Sequence, residues 1–164
     1  MHIRPYAPGD EHAVAEIYNP YILRTDVTFE EVALSAEQMG SRISDVLRRY
    51  PWLVAEDEGQ VVGYAYASPW KARAAYRHTA EVSVYVRQGC TGRGLGQALY
   101  TALFEALSQA DVHVLLACIA LPHEDSVRLH ERFGFSKIGH FTEVGRKFDR
   151  WIDVGYWQKV LKPA

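Results

Sequence analysis

The order of secondary structure is decided by residues 80–107, which read AEVSVYVRQGCTGRGLGQALYTALFEAL. Apolar and polar side chains alternate at its start, and this period of two predicts a strand over 80–86. The glycines that follow, spaced two apart within 92–96, predict a turn with bare backbone. Leucines then recur at helical spacing and predict a helix over 95–107. The stretch therefore forms a unit of strand, glycine-rich turn and helix.

The 80–86 strand carries a carboxylate, a hydroxyl and a phenol on one face, from Glu81, Ser83 and Tyr85. Polar groups in a row on a strand inside a domain need a reason, and a ligand supplies one. Past the turn, the helix N-terminus offers unpaired N–H groups and a positive dipole end that suit a phosphate. No Lys-Ser/Thr pair follows the glycines, so the motif is not a P-loop. A phosphate site and a plain tight turn both stay open.

Strands and helices alternate on either side of this stretch, which predicts an α/β (α+β) fold as one domain over residues 1–164. Further strands are expected at 3–6, 52–56, 61–68, 112–120, 136–144 and 152–161, and a loop is expected at 145–151. One helix is expected after Asp10 and carries Val14, Ile17, Tyr18 and Tyr21. A second is expected after the capping box of Ser35 and Gln38, ended by Pro51, and a third from Asp125 or Ser126 to Gly134.

The charge balance excludes several functions. Lys and Arg number 18 against 20 Asp and Glu, whereas a nucleic-acid-binding protein usually has a basic excess. No apolar run approaches the roughly 20 residues that cross a bilayer, and no signal pattern begins the chain. Cys90 and Cys118 fit reduced thiols, and no histidine or cysteine lies at ligand spacing. We expect a cytoplasmic protein without a metal, a nucleic-acid partner or a membrane attachment.

Three segments together resemble the acetyl-CoA core of the GNAT acetyltransferase superfamily. They are Val84-Tyr85-Val86, Gly92-Arg93-Gly94-Leu95-Gly96 and Leu129-His130-Glu131-Arg132-Phe133-Gly134-Phe135. The resemblance implies a mixed central sheet with splayed strands flanked by helices, with acetyl-CoA as co-substrate. It places the pyrophosphate on the glycine turn and the pantetheine along the preceding strand. The cofactor contacts that it implies are Val84, Tyr85, Val86, Gly92, Arg93, Gly94, Leu95, Gly96, Gln97, His123 and Ser126.

Within the superfamily, the chain resembles the phosphinothricin N-acetyltransferase group over nearly its whole length. The block over 69–86 is the most specific part of this resemblance. It implies transfer of an acetyl group to the α-amino group of a small acidic, glutamate-like amino acid, a detoxification or resistance activity. It also implies a homodimer, which the aromatic residues over 141–157 favour. Thr91 and His123 differ from the group's usual residues around the coenzyme. Glu30, Arg77 and His78 differ around the acceptor, so the exact amino acid stays open.

Two residues are candidates for proton transfer. An amine acceptor arrives protonated, because amines titrate at roughly 8 to 10, and the reaction therefore needs a base. The resemblance implies that Glu81 is this base, although the residues alone fit a surface ion pair equally well. It gives His130 an acid or base role, which an imidazole pKa of roughly 6.5 permits. A structural hydrogen bond is the alternative for His130.

Two cations, Lys71 and Arg73, lie on the loop that follows the strand at 61–68. They would attract a dianionic amino acid, and an Arg can grip a carboxylate or phosphinate with two hydrogen bonds. A solvated basic loop is the alternative. The acceptor contacts that the resemblance implies are Phe29, Lys71, Arg73, Tyr76, Ser83 and Tyr85.

Other functions remain open from the sequence. A related enzyme could acetylate methionine sulfone or sulfoximine, or arsinothricin, the arsenical analogue of phosphinothricin. A polyamine acceptor is disfavoured by Lys71 and Arg73. A non-catalytic acyl-CoA sensor would keep the fold without the chemistry, and the presence of both Glu81 and His130 argues against it. Acetylation of a protein N-terminus would require an open peptide groove.

Overall fold

The structure is a computed structural model that describes residues 1–161. Its elements are β1 (His2–Pro5), α1 (Glu11–Arg24), α2 (Ala36–Leu47), β2 (Trp52–Asp57), β3 (Gln60–Pro69), a 3-10 turn (Ala74–Tyr76), β4 (Thr79–Val86), α3 (Leu95–Ser108), β5 (Val114–Leu121), α4 (Glu124–Arg132), β6 (Ser136–Lys147) and β7 (Arg150–Val160). Among these residues, none of the helices combines the length and apolarity that crossing a membrane requires.

Over residues 1–161 the strands form one sheet in the order β1-β2-β3-β4-β5-β7-β6. The β1–β2, β2–β3, β5–β7 and β6–β7 pairs are antiparallel. β4 and β5 are parallel, with Thr79–Glu81 facing Val114–Leu116. This mixed sheet, together with helices α1 to α4, confirms the predicted α/β (α+β) class.

The chain divides into two compact units, and the division falls inside β4, directly after Glu81. Unit 1 comprises Met1–Pro20, Leu34–Ser68 and Val82–Asp111, and unit 2 comprises Tyr21–Ala33, Pro69–Glu81 and the chain from Val112 onward. The glycine turn therefore belongs to unit 1, and Glu81 belongs to unit 2.

In unit 1, the core is built from one face of α3 and from the sheet. Leu99, Leu103 and Leu107 are fully buried, which confirms the leucine stripe expected from the sequence. Trp52 of β2 stacks on Tyr66 of β3 with ring centroids 4.1 Å apart. This packing fixes α3 and the turn that precedes it.

In unit 2, α4 is held to the sheet by polar contacts at its C-terminal end. Trp157 of β7 donates its Nε1–H to Glu131 at 3.2 Å, and Lys159 donates to the carbonyl of Phe133. Leu115 and Ile119 of β5 are buried. Cys118 between them is exposed, as is His113, so the predicted strand over 112–120 is open to solvent at these two positions.

The loop expected over 145–151 is wrong. β6 continues to Lys147 and β7 begins at Arg150, which leaves Phe148 and Asp149 as the turn. Both residues have positive φ, at 50° and 57°. Two-residue hairpin turns of this kind are usually marked by Asn-Gly, and the Phe-Asp pair lacks that signal.

The predicted start of α4 at Asp125 or Ser126 is also late. The helix begins at Glu124, because the side chain of His123 caps it. The Nδ1 atom of His123 accepts the backbone N–H of Ser126 at 3.4 Å. Histidine is an uncommon capping residue, which explains why Asp125 and Ser126 were the stronger signals.

Candidate functional site

The glycine turn of unit 1 has a backbone that requires glycine. Gly92 and Gly94 have φ values of 76° and 77°, in the left-handed region that other residues enter only with strain. An added Cβ at either position would meet no atom within 4 Å, so the turn surface is uncovered. Gly94 is the N-cap of α3 and has no side chain to occupy the N–H groups of the first turn. The turn therefore has the features of an anion site.

Two other residues of the turn have side chains that are already engaged. Arg93 donates to Asp57 at 2.6 Å, and this contact lowers the pKa of the Asp57 carboxyl. Leu95 is buried in the core. If these two residues contact a cofactor as predicted, the contacts are made by their backbone N–H groups. The Arg93 guanidinium can add only an electrostatic attraction at a distance.

The part of β4 in unit 1 is only partly covered. Ser83, Val84, Tyr85 and Val86 are all half-buried. The Tyr85 ring is fixed by aromatic packing, edge-on to Tyr18 at 5.0 Å and stacked on Tyr64 at 5.5 Å between centroids. An incompletely covered strand that leads into an anion site is what an extended ligand with a terminal phosphate needs.

Glu81, at the end of the β4 segment in unit 2, is half-buried beside β5. Loss of solvent around its carboxylate raises the pKa of Glu81 above its usual value. Within residues 1–161 no Lys or Arg side chain pairs with it. The surface ion pair considered as an alternative is therefore absent from the described chain, and the carboxylate is left to act on a ligand.

Two residues that the sequence did not indicate lie beside Glu81. Cys118 and Tyr156 face each other across β5 and β7. The Tyr156 hydroxyl has side-chain hydrogen bonds to Trp70 and Cys118, and the charge of Glu81 acts on both Tyr156 and Cys118. Partial loss of solvent is the largest cause that raises the pKa of each of the two groups, and for Cys118 it acts on a residue that is still open to solvent on one side. The one sequence signal was a polarisable residue, Cys118, inside an otherwise apolar run.

The loop from Pro69 to Tyr76 presents the two predicted cations. Lys71 and Arg73 are exposed, and no acidic side chain of the described residues pairs with them. The Trp70 ring meets Tyr76 edge-on at 5.2 Å, and the Lys71 ammonium lies 5.3 Å from the Trp70 ring centroid. Two exposed positive charges without an acidic partner among the described residues suit an anionic ligand.

His130 is buried, with 4% of its surface exposed. Its Nδ1 lies 2.7 Å from the carbonyl oxygen of Ser126, so Nδ1 carries a proton and donates it. Burial lowers the pKa of His130. The neutral ring therefore has Nε2 as an acceptor, which favours a base or hydrogen-bonding role over the donation of a proton from Nε2.

The predicted residues fall into local groups. Unit 1 holds Ser83, Val84, Tyr85, Val86, Gly92, Arg93, Gly94, Leu95, Gly96 and Gln97, and unit 2 holds Phe29, Lys71, Arg73, Tyr76, Glu81, His123, Ser126 and His130. The Phe29 ring packs against Gly145 of β6. No cluster of three or more His, Cys, Asp or Glu in residues 1–161 has a metal-binding arrangement. The roles of all these residues stay predictions.

Comparison with known proteins gives a consistent result. Residues 3–155 match the family described as acetyltransferase (GNAT) domain. The phosphinothricin N-acetyltransferase of Streptomyces viridochromogenes is 42% identical, over 97% of this chain and 87% of that protein. The L-methionine sulfoximine/L-methionine sulfone acetyltransferase of Pseudomonas aeruginosa is 36% identical, over 99% of this chain and 95% of that protein.

Solved structures agree with the family match. A GNAT superfamily phosphinothricin acetyltransferase from Sinorhizobium meliloti, in complex with acetyl-CoA, has a TM-score of 0.94 at 34% identity, covering 97% of this chain and 87% of that one. A ribosomal-protein-alanine N-acetyltransferase from Brucella melitensis has a TM-score of 0.95 at 37% identity, covering 98% and 99%. Similarity of this degree extends over the entire fold.

Proposed function

The chain belongs to the acetyltransferase (GNAT) family, and from that premise we propose that it transfers the acetyl group of acetyl-CoA to the α-amino group of a small acidic amino acid of the phosphinothricin type. The observation that carries the proposal is Glu81, a half-buried carboxylate without an ion-pair partner among the described residues. It belongs to the same unit as the two unneutralised cations Lys71 and Arg73. A base and an anion-binding pair are the two features that an acidic amine acceptor requires.

The acceptor is activated in unit 2. Its ammonium group loses a proton to Glu81, directly or through one water, and the free amine then attacks the thioester carbonyl carbon. The raised pKa of Glu81 brings the carboxylate closer to neutral pH, where a general base works best. Acetyl-CoA would supply the activated acetyl group. As its C–S bond breaks, coenzyme A would leave as the thiolate and take up the second proton that the attacking nitrogen loses.

The acetyl-CoA is held, in this proposal, by the glycine turn of unit 1. The N–H groups at the start of α3 bind the pyrophosphate, as the uncovered surface around Gly92 and Gly94 supports. Ser83 to Val86 would receive the pantetheine along their partly covered strand. A relative of known structure was solved with acetyl-CoA, which supports this assignment.

The acid groups of the acceptor are bound by the cations of the 69–76 loop. Arg73 offers a planar fork to a carboxylate or phosphinate, and Lys71 adds a second charge. Tyr76 is 41% exposed and can donate its hydroxyl to the same group. The Phe29 ring, also 41% exposed, would pack on the aliphatic chain.

A second candidate acceptor is methionine sulfoximine or sulfone, because the P. aeruginosa enzyme that acts on them is 36% identical over 99% of this chain. These compounds have the same α-amino acid group as phosphinothricin. Their distal tetrahedral centre is a sulfur atom that lacks the full negative charge of the phosphinate. Arsinothricin, with an arsenical acid at that position, belongs with the charged acceptors. Detoxification or resistance is the role that fits all three acceptors.

We also propose that residues 1–164 act as one acetyltransferase domain, that two copies associate, and that the protein works in the cytoplasm. The family match spans segments of both units. Large apolar side chains of the β6–β7 hairpin, half or more exposed, support a dimer interface: Ile138, Phe141, Val144, Phe148 and Trp151. Both cysteines are free thiols, as in a reducing compartment.

The test is an assay of thiol release from acetyl-CoA with a panel of amines. The panel contains phosphinothricin, methionine sulfoximine and sulfone, glutamate, a polyamine and a peptide that begins with alanine. We expect turnover with phosphinothricin and weak or no turnover with the polyamine and the peptide. Preferential turnover of either of these last two would refute the assignment of the acceptor, and no turnover at all would favour a sensor.

A further inference from the structure

Phe29 lies against β6 at a point where the strand has no side chain. A Cβ added to Gly145 would stand 2.3 Å from Cε2 and 2.5 Å from Cζ of the Phe29 ring. Gly145 is absent from the glycines with positive φ, so its backbone conformation does not require glycine. Contact with the ring is the reason that remains, because carbon atoms pack at about 3.5–4.0 Å.

The backbone next to Phe29 is tied to the same hairpin. Lys147, only 3% exposed, donates its Nζ–H to the carbonyl of Thr28 at 2.8 Å. Arg150 pairs with Asp26, two residues further back. These contacts hold the segment before Phe29, so a group that displaced the ring could not be accommodated by a free shift of the backbone.

We propose that the β6–β7 hairpin positions Phe29 and thereby sets acceptor selectivity, with Gly145 providing the bare surface on which the ring lies. This inference rests on the proposed function, which assigns Phe29 to the acceptor. One side of the ring is covered by Gly145, and the exposed side is the one left for the acceptor. A side chain at 145 pushes the ring toward that exposed side. Large acceptors then lose more binding than small ones.

The first experiment compares Gly145→Ala with Gly139→Ala, a glycine of the same strand where an added Cβ meets no atom within 4 Å. kcat/KM is measured for acceptors graded by the size of their distal group. We expect Gly145→Ala to lower kcat/KM for the largest acceptor, relative to kcat/KM for the smallest, by about tenfold. This is the scale of one methyl group in a closed pocket. KM for acetyl-CoA stays within about twofold, and Gly139→Ala behaves like the wild type.

The second experiment repeats Gly145→Ala in a Phe29→Leu background. Leucine lacks the Cε2 and Cζ atoms that stand 2.3 and 2.5 Å from the added Cβ, so alanine at 145 meets at most a Cδ atom, which stands at 3.1 Å in the ring. Gly145→Ala should then leave the selectivity of Phe29→Leu unchanged, a non-additivity expected only for residues in contact. An equal shift in both backgrounds would overturn the proposal, as would an equal loss on every acceptor.

Folding is followed by thermal unfolding of each variant. If Gly145→Ala does not fold, Lys147→Met provides the same test, because it keeps a buried chain of similar length and removes the hydrogen bond from Lys147 to the Thr28 carbonyl. It should alter kcat/KM for the largest acceptor relative to the smallest without changing KM for acetyl-CoA. An unchanged ratio of these kcat/KM values contradicts the proposal. The ratio is taken from whichever panel amines the wild type acetylates. A wild type that ignores acidic acceptors therefore refutes the proposed function separately from this inference.

Discussion

Two regions of the molecule depend on glycine for opposite reasons. In unit 1, Gly92 and Gly94 have positive φ and nothing within 4 Å of an added Cβ. In unit 2, Gly145 has an aromatic ring 2.3 Å from that position and no positive φ. The first region needs a backbone conformation and leaves space for a ligand. The second needs a contact with another part of the chain.

In the proposed function, the turn with Gly92 and Gly94 belongs to the acetyl-CoA site, and the contact between Gly145 and Phe29 belongs to the acceptor site. A backbone turn that presents N–H groups suits the phosphates of a cofactor, whose chemistry is the same for every member of a family. An aromatic side chain held by tertiary contacts, such as Phe29 on Gly145, suits the acceptor. The acceptor differs among relatives such as the phosphinothricin and methionine sulfoximine enzymes. In the proposed function, substitutions in the glycine turn should therefore act on KM for acetyl-CoA, and substitutions at Phe29, Arg73 and Glu81 should act on the acceptor and on kcat.

The largest effect is expected from Glu81→Gln in unit 2. The variant removes the proton acceptor and keeps the size of the side chain, so kcat at neutral pH should fall at least about a hundredfold. Stopped-time assays at saturating substrates give kcat, and circular dichroism checks the fold. Wild-type turnover would return Glu81 to a structural role.

Arg73→Ala should have the next largest effect, and it should depend on the charge of the acceptor. Loss of a charge-assisted bidentate contact costs about 2–3 kcal/mol, or about 30- to 150-fold in kcat/KM for a doubly acidic acceptor. Steady-state assays should show a smaller loss for the neutral methionine sulfone. Arg73→Lys should recover only part of the activity, because an ammonium lacks the planar fork. Equal losses on both acceptors would mean that Arg73 supports the loop.

Gly94→Ala tests the other side of the comparison. Strain at a φ of 77° costs about 1–2 kcal/mol and disturbs the start of α3, so KM for acetyl-CoA should rise about five- to thirtyfold. KM for the acceptor should change little. Gly59→Ala is the matched control, since Gly59 has a φ of 76° and open space around it but lies in the β2–β3 turn. A similar rise in that control would attribute the effect to general destabilisation.

The smallest effect is a displacement of the pH profile. Burial raises the pKa of Glu81, so the carboxylate becomes protonated, and inactive as a base, at a higher pH than an exposed glutamate would. kcat/KM should therefore fall as the pH decreases through a value above the ordinary carboxyl range. This acidic limb should disappear in Glu81→Gln. A limb that survives the substitution would belong to another group.

Local signals in the sequence were sufficient for the strand, turn and helix that contain the glycine turn. The glycine turn and the leucine stripe of α3 lie within one short stretch, and their spacing alone indicates the structure. The acceptor region depends on pairing between distant strands. Tyr156 reaches Cys118 through the β5–β7 register, and Phe29 reaches Gly145 only in the folded chain. The Phe148-Asp149 turn was missed because the first of its two positive φ values falls on Phe148, a bulky residue type that seldom adopts one.

The central claim is that the chain acetylates the α-nitrogen of an acidic amino acid, and product analysis tests it most directly. The purified protein is incubated with acetyl-CoA and phosphinothricin, and the product is examined by mass spectrometry with fragmentation. The account predicts one acetyl group on the α-amino nitrogen, with one free thiol released for each acetyl transferred. An acetyl group at any other atom, or no thiol release with any acidic amino acid in the panel, would contradict it.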